Sequence, residues 1–399
     1  MNVFAIPSWY PEPARGLLGG TFLHEAFLAI ARHHADVNLD VALWGQGDFE
    51  LSGARARAWL ARPHLVTAAR PERRAVAPNL VEHYAPVWTW RFATRRGNAP
   101  AVLAVVRAQL ERSRRERGRI DLIHAHVSFP AGWLAMRLSR DTGIPFVLTE
   151  HMSPFPFTHF VRDGRVVPEV AEPLRQARRV VAVSRALAAQ IRDAVGVEPE
   201  VIPNGVDEDF FTPGPSRGGP FTFLTVGAIE TQKGIDVLIA AAGQLQTNAG
   251  RAARFRVVGE GRFRGLYEQL ARSLVLGNRF EWLGALPRER VRDEMRACDA
   301  FVLTSRHESF GVVYAEALAC GKPVLATHCG GPEDIVGEGD GLLVPVDDVA
   351  ATAEALDALA RGDAAFDSAA IRASFERRFA SRAVAARTVA LYRAATEVA

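Results

Sequence analysis

Long apolar runs are missing from this 399-residue chain. No stretch of about 18 uncharged apolar residues occurs, the least that spans a bilayer as a helix, so a membrane-spanning segment is not expected. Met1-Asn2-Val3-Phe4-Ala5-Ile6-Pro7 has neither a basic leader nor a long apolar stretch, and reads as a first strand rather than a signal peptide. Cysteine is scarce. Cys298, Cys320 and Cys329 are odd in number and lack zinc-type spacing, which points to buried, reduced thiols in a cytosolic protein. Lysine is nearly absent too: apart from Lys233 and Lys322, the other 46 of the 48 basic residues are arginine. With abundant alanine, that bias fits a GC-rich genome and says nothing about function. Against it, a lysine kept at 233 stands out, because an ammonium acts as a compact point charge.

What is present is a soluble globular composition, 48% hydrophobic and 23% charged. The length suits two domains of about 200 residues each. Short apolar runs alternate with helical patterns throughout, the mark of parallel sheets covered by helices. First-half strands are expected at Val3–Ile6, Val37–Leu43, Leu80–Tyr84, Leu122–His126, Phe146–Thr149 and Val180–Val183. Helices are expected at about Phe22–Arg32, Ala99–Arg117, Gly132–Arg140 and Arg185–Val195. A Pro-, Gly- and Asp-rich linker at 207–220 separates residues 1–206 from a second domain over 221–381. That series places strands at Phe221–Val226, Phe255–Val258, Phe280–Leu283, Ala300–Thr304 and Pro323–Ala326.

Net charge is +3, but residues 1–200 hold 26 Arg against 19 acidic residues. Nine arginines fall between Arg91 and Arg119, just after Tyr84, Trp88, Trp90 and Phe92. The stretch either meets anionic lipid headgroups or an acidic acceptor, or is a solvated Arg-rich helix with surface ion pairs. No nucleic-acid-binding motif accompanies it.

The segment Glu308-Ser309-Phe310-Gly311-Val312-Val313-Tyr314-Ala315-Glu316 follows a buried strand and opens an apolar helix. Helix N-termini expose backbone N–H groups and the positive end of the macrodipole, which suit a diphosphate. One carboxylate precedes the turn; the other lies roughly 9 Å into the helix at 1.5 Å per residue. Such a pair suits a nucleotide-sugar, with one Glu for the hexose and one for the ribose.

This pattern resembles the Glu-x7-Glu signature of glycosyltransferase family 4. Val226-Gly227-Ala228-Ile229-Glu230-Thr231-Gln232-Lys233-Gly234, Val258-Gly259-Glu260-Gly261, Trp282-Leu283-Gly284, Gly330-Gly331-Pro332-Glu333-Asp334 and Ile202-Pro203-Asn204-Gly205-Val206-Asp207 extend the resemblance in order. It implies the GT-B fold, two facing Rossmann-like doubly wound parallel-sheet domains with a cleft between. The last helix, 382–399, would then return to the first domain. It further implies a retaining transfer of a hexose or N-acetylhexosamine from a UDP-, GDP- or ADP-sugar to a hydroxyl of a glycan, lipid-linked glycan or small molecule. Neither cofactor nor metal is expected.

Carried onto this chain, the resemblance makes Glu308, His126 and Lys233 the catalytic candidates. Lys233 would neutralise the diphosphate as charge develops on the leaving nucleotide. Gly19, Gly20, Lys233, Glu308, Phe310, Gly311, Val312 and Glu316 would bind the donor; Gly16 lies in the same loop as Gly19 and Gly20. His126 would either orient the donor or take a proton from the acceptor hydroxyl. His151, Trp9 and Tyr10 are acceptor-side candidates. His124 shares a face with His126 and reads as a buried, hydrogen-bonded histidine. The family commonly has an arginine where this chain has Ala228, which leaves a second cation to be found; Arg262 and Arg264 are near in sequence. Asp207-Glu208-Asp209 looks like a metal-binding triplet but reads as a turn and helix start. His124-x-His126 lacks a third zinc ligand. A nucleotide-sugar epimerase and a weakly active nucleotide-binding partner subunit are the alternatives.

Overall fold

A computed structural model describes residues 1–11, 20–45, 49–50, 71–89, 98–215 and 217–397. The donor-loop candidates Gly16 and Gly19, the aromatics Trp90 and Phe92, and Arg91, Arg95 and Arg96 lie outside the described residues. The chain forms two compact units, one of residues 1–183, 188–202 and 385–399, the other of 184–187 and 203–384.

Among the described residues the first unit carries an eight-stranded sheet. In spatial order its strands are Glu200–Val201, Arg179–Ala182, Phe146–Glu150, Leu122–His126, Asn2–Pro7, Asn38–Trp44, Leu80–Ala85 and Glu72–Ala77. All pair in parallel except the last, which runs antiparallel to Leu80–Ala85. The central strands are apolar on both faces because helices cover both, so Leu122–His126 and Phe146–Glu150 are buried at every position. Glu72–Ala77 is the reverse, exposed along most of its length, as an edge strand protected by charge can be. Its polar sequence gives no strand signal, so this strand is not expected from the sequence.

The second unit has a six-stranded parallel sheet: Phe280–Gly284, Arg254–Val258, Thr222–Val226, Ala300–Leu303, Val324–Thr327 and Gly341–Val344. Five of these strands fall where expected, within a residue or two; the short edge strand Gly341–Val344 was not anticipated. Phe223, Phe255 and Phe280 stack across three adjacent strands, with centroids 5.2 and 4.7 Å apart, and anchor the core on one face. The three cysteines are buried and form no disulfide, and burial pushes each thiol up to about 12. They stay protonated and inert at neutral pH.

Asp207-Glu208-Asp209 forms a turn. Asp207 Oδ1 accepts from the Asp209 and Phe210 N–H groups at 3.0 and 3.1 Å. Buried Glu208 accepts from the N–H and hydroxyl of Ser381 at 2.8 and 2.7 Å, at the start of helix Ser381–Thr396. The triplet therefore forms the expected turn and ties it to the start of the last helix.

Candidate functional site

In the second unit two loops are stitched together below the Glu-x7-Glu helix. The strand Thr222–Val226 leads through Gly227 into the single turn Thr231–Lys233. Gly234 ends that turn in the left-handed region, φ 62°, and a Cβ there would lie 1.9 Å from Thr304 O. Only glycine fits. Thr304 Oγ1 returns a hydrogen bond to Gly234 O at 2.7 Å, Gln232 Nε2 donates to His307 O at 2.8 Å, and Arg306 N to Gln232 O at 2.7 Å. Gly234→Ala combines left-handed strain with overlap against backbone, and is expected to destabilise this unit by about 3 kcal/mol. A urea unfolding midpoint that does not move would contradict that geometry.

This stitching brings Lys233 to Glu308. The ammonium lies 2.5 Å from Glu308 Oε1, which also accepts from Ser305 Oγ at 2.8 Å. Glu308 is buried, and its backbone is clamped between Cys329 O at 3.2 Å and Gly331 N at 2.8 Å. Gly311, at φ 88°, then turns the chain into the helix Val312–Ala319. A Cβ there would meet the Tyr314 ring at 2.5 Å. No side chain caps this helix; Tyr314 N donates to Gly311 O at 3.1 Å, while the N–H groups of Val312 and Val313, at its very start, have no intrahelical acceptor. Phe310 is buried just before the turn and Glu316 is half-buried within the helix. Lys233, Glu308, Phe310, Gly311 and Val312 thus converge. Ser305 is the member that sequence reading missed; a lone serine after a strand gives no signal until its hydroxyl is seen on Glu308.

Neither arginine proposed to replace the residue lost at Ala228 is unengaged. Arg262 pairs with Glu230 at 2.8 Å, and Arg264 with Glu260 and with Glu268, the latter at 2.9 Å.

In the first unit, parallel pairing of Leu122–His126 with Phe146–Glu150 brings His124, His126 and His151 together. His124 is satisfied as expected, by Tyr392 OH at 2.7 Å and Thr149 Oγ1 at 2.8 Å. His126 Nδ1 lies 3.1 Å from His151 Nε2. Burial is the main cause that pushes His124 and His151 down to about 3 and His126 well below the usual range. Glu150 organises the strand end: Oε1 accepts from the N–H of His151 at 2.8 Å and of Met152 at 2.9 Å, and Oε2 from Ser128 N at 2.9 Å. Nothing in the sequence marks Glu150, since its partners are backbone amides. Glu150→Gln turns an amide NH2 towards N–H donors and is expected to cost about 2–4 kcal/mol by urea denaturation; a cost under about 0.5 kcal/mol would refute this role.

The other first-unit candidates divide. Gly20 caps the helix Thr21–His33 and lies against the Trp9 backbone. Trp9 is half-buried. Tyr10 corrects the sequence reading: it is 3% exposed, with its hydroxyl 2.7 Å from Glu82 Oε1 and 2.8 Å from His24 Nδ1. A tyrosine held this way supports the core and does not line an acceptor surface. Arg112 and Arg114, on the Arg-rich helix Ala99–Arg117, form ion pairs with Glu116 and Glu111 along the same helix, and Arg107 pairs with Asp141. For the described arginines this favours the solvated face. Among the described residues no helix is long and apolar enough to cross a membrane.

Two parallel α/β sheets, with a lysine–glutamate pair and a helix N-terminus at the strand ends of the second, define a GT-B glycosyltransferase architecture. The comparisons agree. Residues 206–374 match the model for glycosyl transferases group 1, and residues 54–210 that for glycosyltransferase family 4. A D-inositol 3-phosphate glycosyltransferase of Frankia alni is 32% identical, over 67% of this chain and 72% of its own. An uncharacterized glycosyltransferase of Methanocaldococcus jannaschii is 34% identical, over 56% of this chain and 61% of its own. The solved structure of Anabaena HepE in complex with UDP superposes with a TM-score of 0.72 at 21% identity, covering 99% of this chain and 100% of that one. The chain belongs to glycosyltransferase family 4. Its matches to the first relatives span 61% to 64% of their lengths.

Proposed function

We propose that this chain transfers a hexose or N-acetylhexosamine from a nucleoside-diphosphate sugar to a hydroxyl acceptor, with retention of anomeric configuration and without a metal. The observation that carries the reading is the Lys233–Glu308 pair beside the open N-terminus of Val312–Ala319. In this reading the diphosphate accepts from the first-turn amides and draws the Lys233 ammonium to it. Glu308, released from the lysine, accepts hydroxyls of the sugar, while Glu316 takes the ribose. As the glycosidic bond breaks, charge grows on the leaving phosphate, and Lys233 with the helix N-terminus stabilises it. With Arg262 and Arg264 tied to carboxylates, Lys233 carries the cationic share of that work. The acceptor hydroxyl attacks from the face the phosphate leaves and gives its proton to a phosphate oxygen. His126 belongs to the acceptor side. UDP, bound by Anabaena HepE, heads the nucleotide candidates.

Calorimetric titration with UDP, GDP, ADP and their glucose conjugates, without metal and then with magnesium, tests the reading. Micromolar binding of one nucleotide without magnesium, lost in Glu316→Ala, is the expected result. No binding to a folded sample would overturn it, and binding only with magnesium would overturn its metal-free part.

A further inference from the structure

Among the described residues of the first unit three ring nitrogens are buried with no hydrogen-bond partner: His83 Nδ1, on a ring whose Nε2 is held by Asp40 at 2.8 Å, and His126 Nε2 and His151 Nδ1, which belong together. The last two are the outer atoms of the pair whose inner atoms, His126 Nδ1 and His151 Nε2, lie 3.1 Å apart. Two neutral imidazoles carry two N–H protons between them. One occupies the inner bond, so one outer nitrogen is a donor and the other an acceptor. Two arrangements meet that condition. With both protons on Nε2, His151 donates to His126 and His126 presents an outward N–H. With both on Nδ1, His126 donates and presents a bare nitrogen. A free neutral imidazole prefers its proton on Nε2, so the first arrangement keeps both rings in their better form and the second keeps neither.

We infer that His151 is a positioning residue: by donating Nε2–H to His126 Nδ1, it holds His126 as a fixed N–H donor rather than a proton acceptor. The inference deepens the reading above, in which His126 meets the reacting partners, and it chooses between the two roles left open for that histidine. The surroundings agree. The His124 ring stands 4.0 Å from that of His126, but its nitrogens are engaged by Tyr392 and Thr149. Phe27 meets His126 edge-on and Phe22 covers His151. The nearby carboxyl, Glu150, is taken up by backbone amides, the His151 N–H among them, and so fixes where the ring starts. Burial keeps all three imidazoles neutral, and a ring of such low basicity is a poor base. An unpartnered buried nitrogen is destabilising, a penalty that a sugar or acceptor oxygen on His126 Nε2–H would remove. The ligand group is therefore a hydroxyl or ether oxygen that accepts.

Imidazole ¹⁵N spectra of the labelled full chain at pH 7.5 read the arrangement without any substrate. His126→Gln and His151→Gln supply the assignments. Wild type is expected to show His126 protonated on Nε2, with Nδ1 bare but hydrogen-bonded. His151→Phe should move the Nδ1 signal to that of an unbonded nitrogen, and His151→Gln, whose amide can donate from the same place, should move it back. A proton on His126 Nδ1 in wild type would overturn the inference, as would identical His126 signals in wild type and a folded His151→Phe. If that variant does not fold, the wild-type assignment decides alone. The placement of His126 is tested apart, by sugar release from UDP-, GDP- and ADP-glucose in His126→Ala. Release at the wild-type rate would remove that placement and leave the spectroscopic result standing.

Discussion

Lys233→Ala is expected to lower turnover of the nucleotide sugar by about 10²–10³-fold, the usual loss when one preorganised stabiliser of a developing anion is removed. The effect should fall on kcat as well as on KM, since the charge on the leaving phosphate is larger in the transition state than in the bound substrate. Two features make the substitution informative. The lysine side chain is largely covered, so its charge is less screened than a surface lysine's. The nearby arginines 262, 264 and 306 are held by Glu230, by Glu260 and Glu268, and by Asp236 and Asp347 respectively, so none is poised to replace it. Lys233→Arg should recover part of the loss, because the charge returns on a bulkier, planar group. Steady-state rates on the nucleotide sugar found by calorimetry check this. A loss under fivefold, in a protein with unchanged unfolding, would place the leaving-group charge elsewhere.

The second large effect is acid instability of the first unit. His124, His126 and His151 have folded pKa values far below the roughly 6.5 of an unfolded histidine. Below pH 6.5 the unfolded chain therefore binds more protons than the folded one, and stability falls with falling pH. Each such histidine removes about 1.4 kcal/mol by pH 5.5, and three together up to about 4 kcal/mol. Glu150 works in the opposite sense. Burial raises its pKa, so the penalty for its ionised form, complete at high pH, is relieved as pH falls through the folded value, which offsets part of the loss. Six of the seven tryptophans lie in residues 1–183, so tryptophan fluorescence during urea unfolding follows this unit. Its midpoint should drop between pH 7 and 5.5, and His151→Gln should flatten the slope by about a third. A midpoint level over that range would show that the histidines titrate normally.

Both sites were partly legible from sequence, and the reasons differ by residue. Ala300–Leu303 announces itself because a strand buried on both faces reads as a continuous apolar run, and Leu122–His126 keeps enough of that run in Leu122, Ile123 and Ala125 to be read despite its two histidines. Lys233 and Glu308 stood out through motif order, although only the fold shows that a stitch through Gly234 and Thr304 brings them together. Tyr10 misled because an aromatic at a strand end is compatible with either a surface or the core, and sequence does not reveal the Glu82 carboxylate waiting for its hydroxyl. Ser305 and Glu150 were invisible for a common reason: each acts through one short hydrogen-bond set that has no periodicity. Glu72–Ala77 was missed because its only apolar content is three small residues.

The Lys233–Glu308 pair has one more consequence. Lys233 and Glu308 are each other's charged partner, a latch that a donor would have to part on the proposed reading. In that reading, a bare nucleoside diphosphate that takes the lysine leaves the buried Glu308 with the Ser305 hydroxyl but no charged partner, whereas the intact nucleotide sugar offers that carboxylate further hydroxyls in exchange. The product nucleotide should therefore be held less firmly than the substrate, and re-closing of the latch would help to eject it after each transfer.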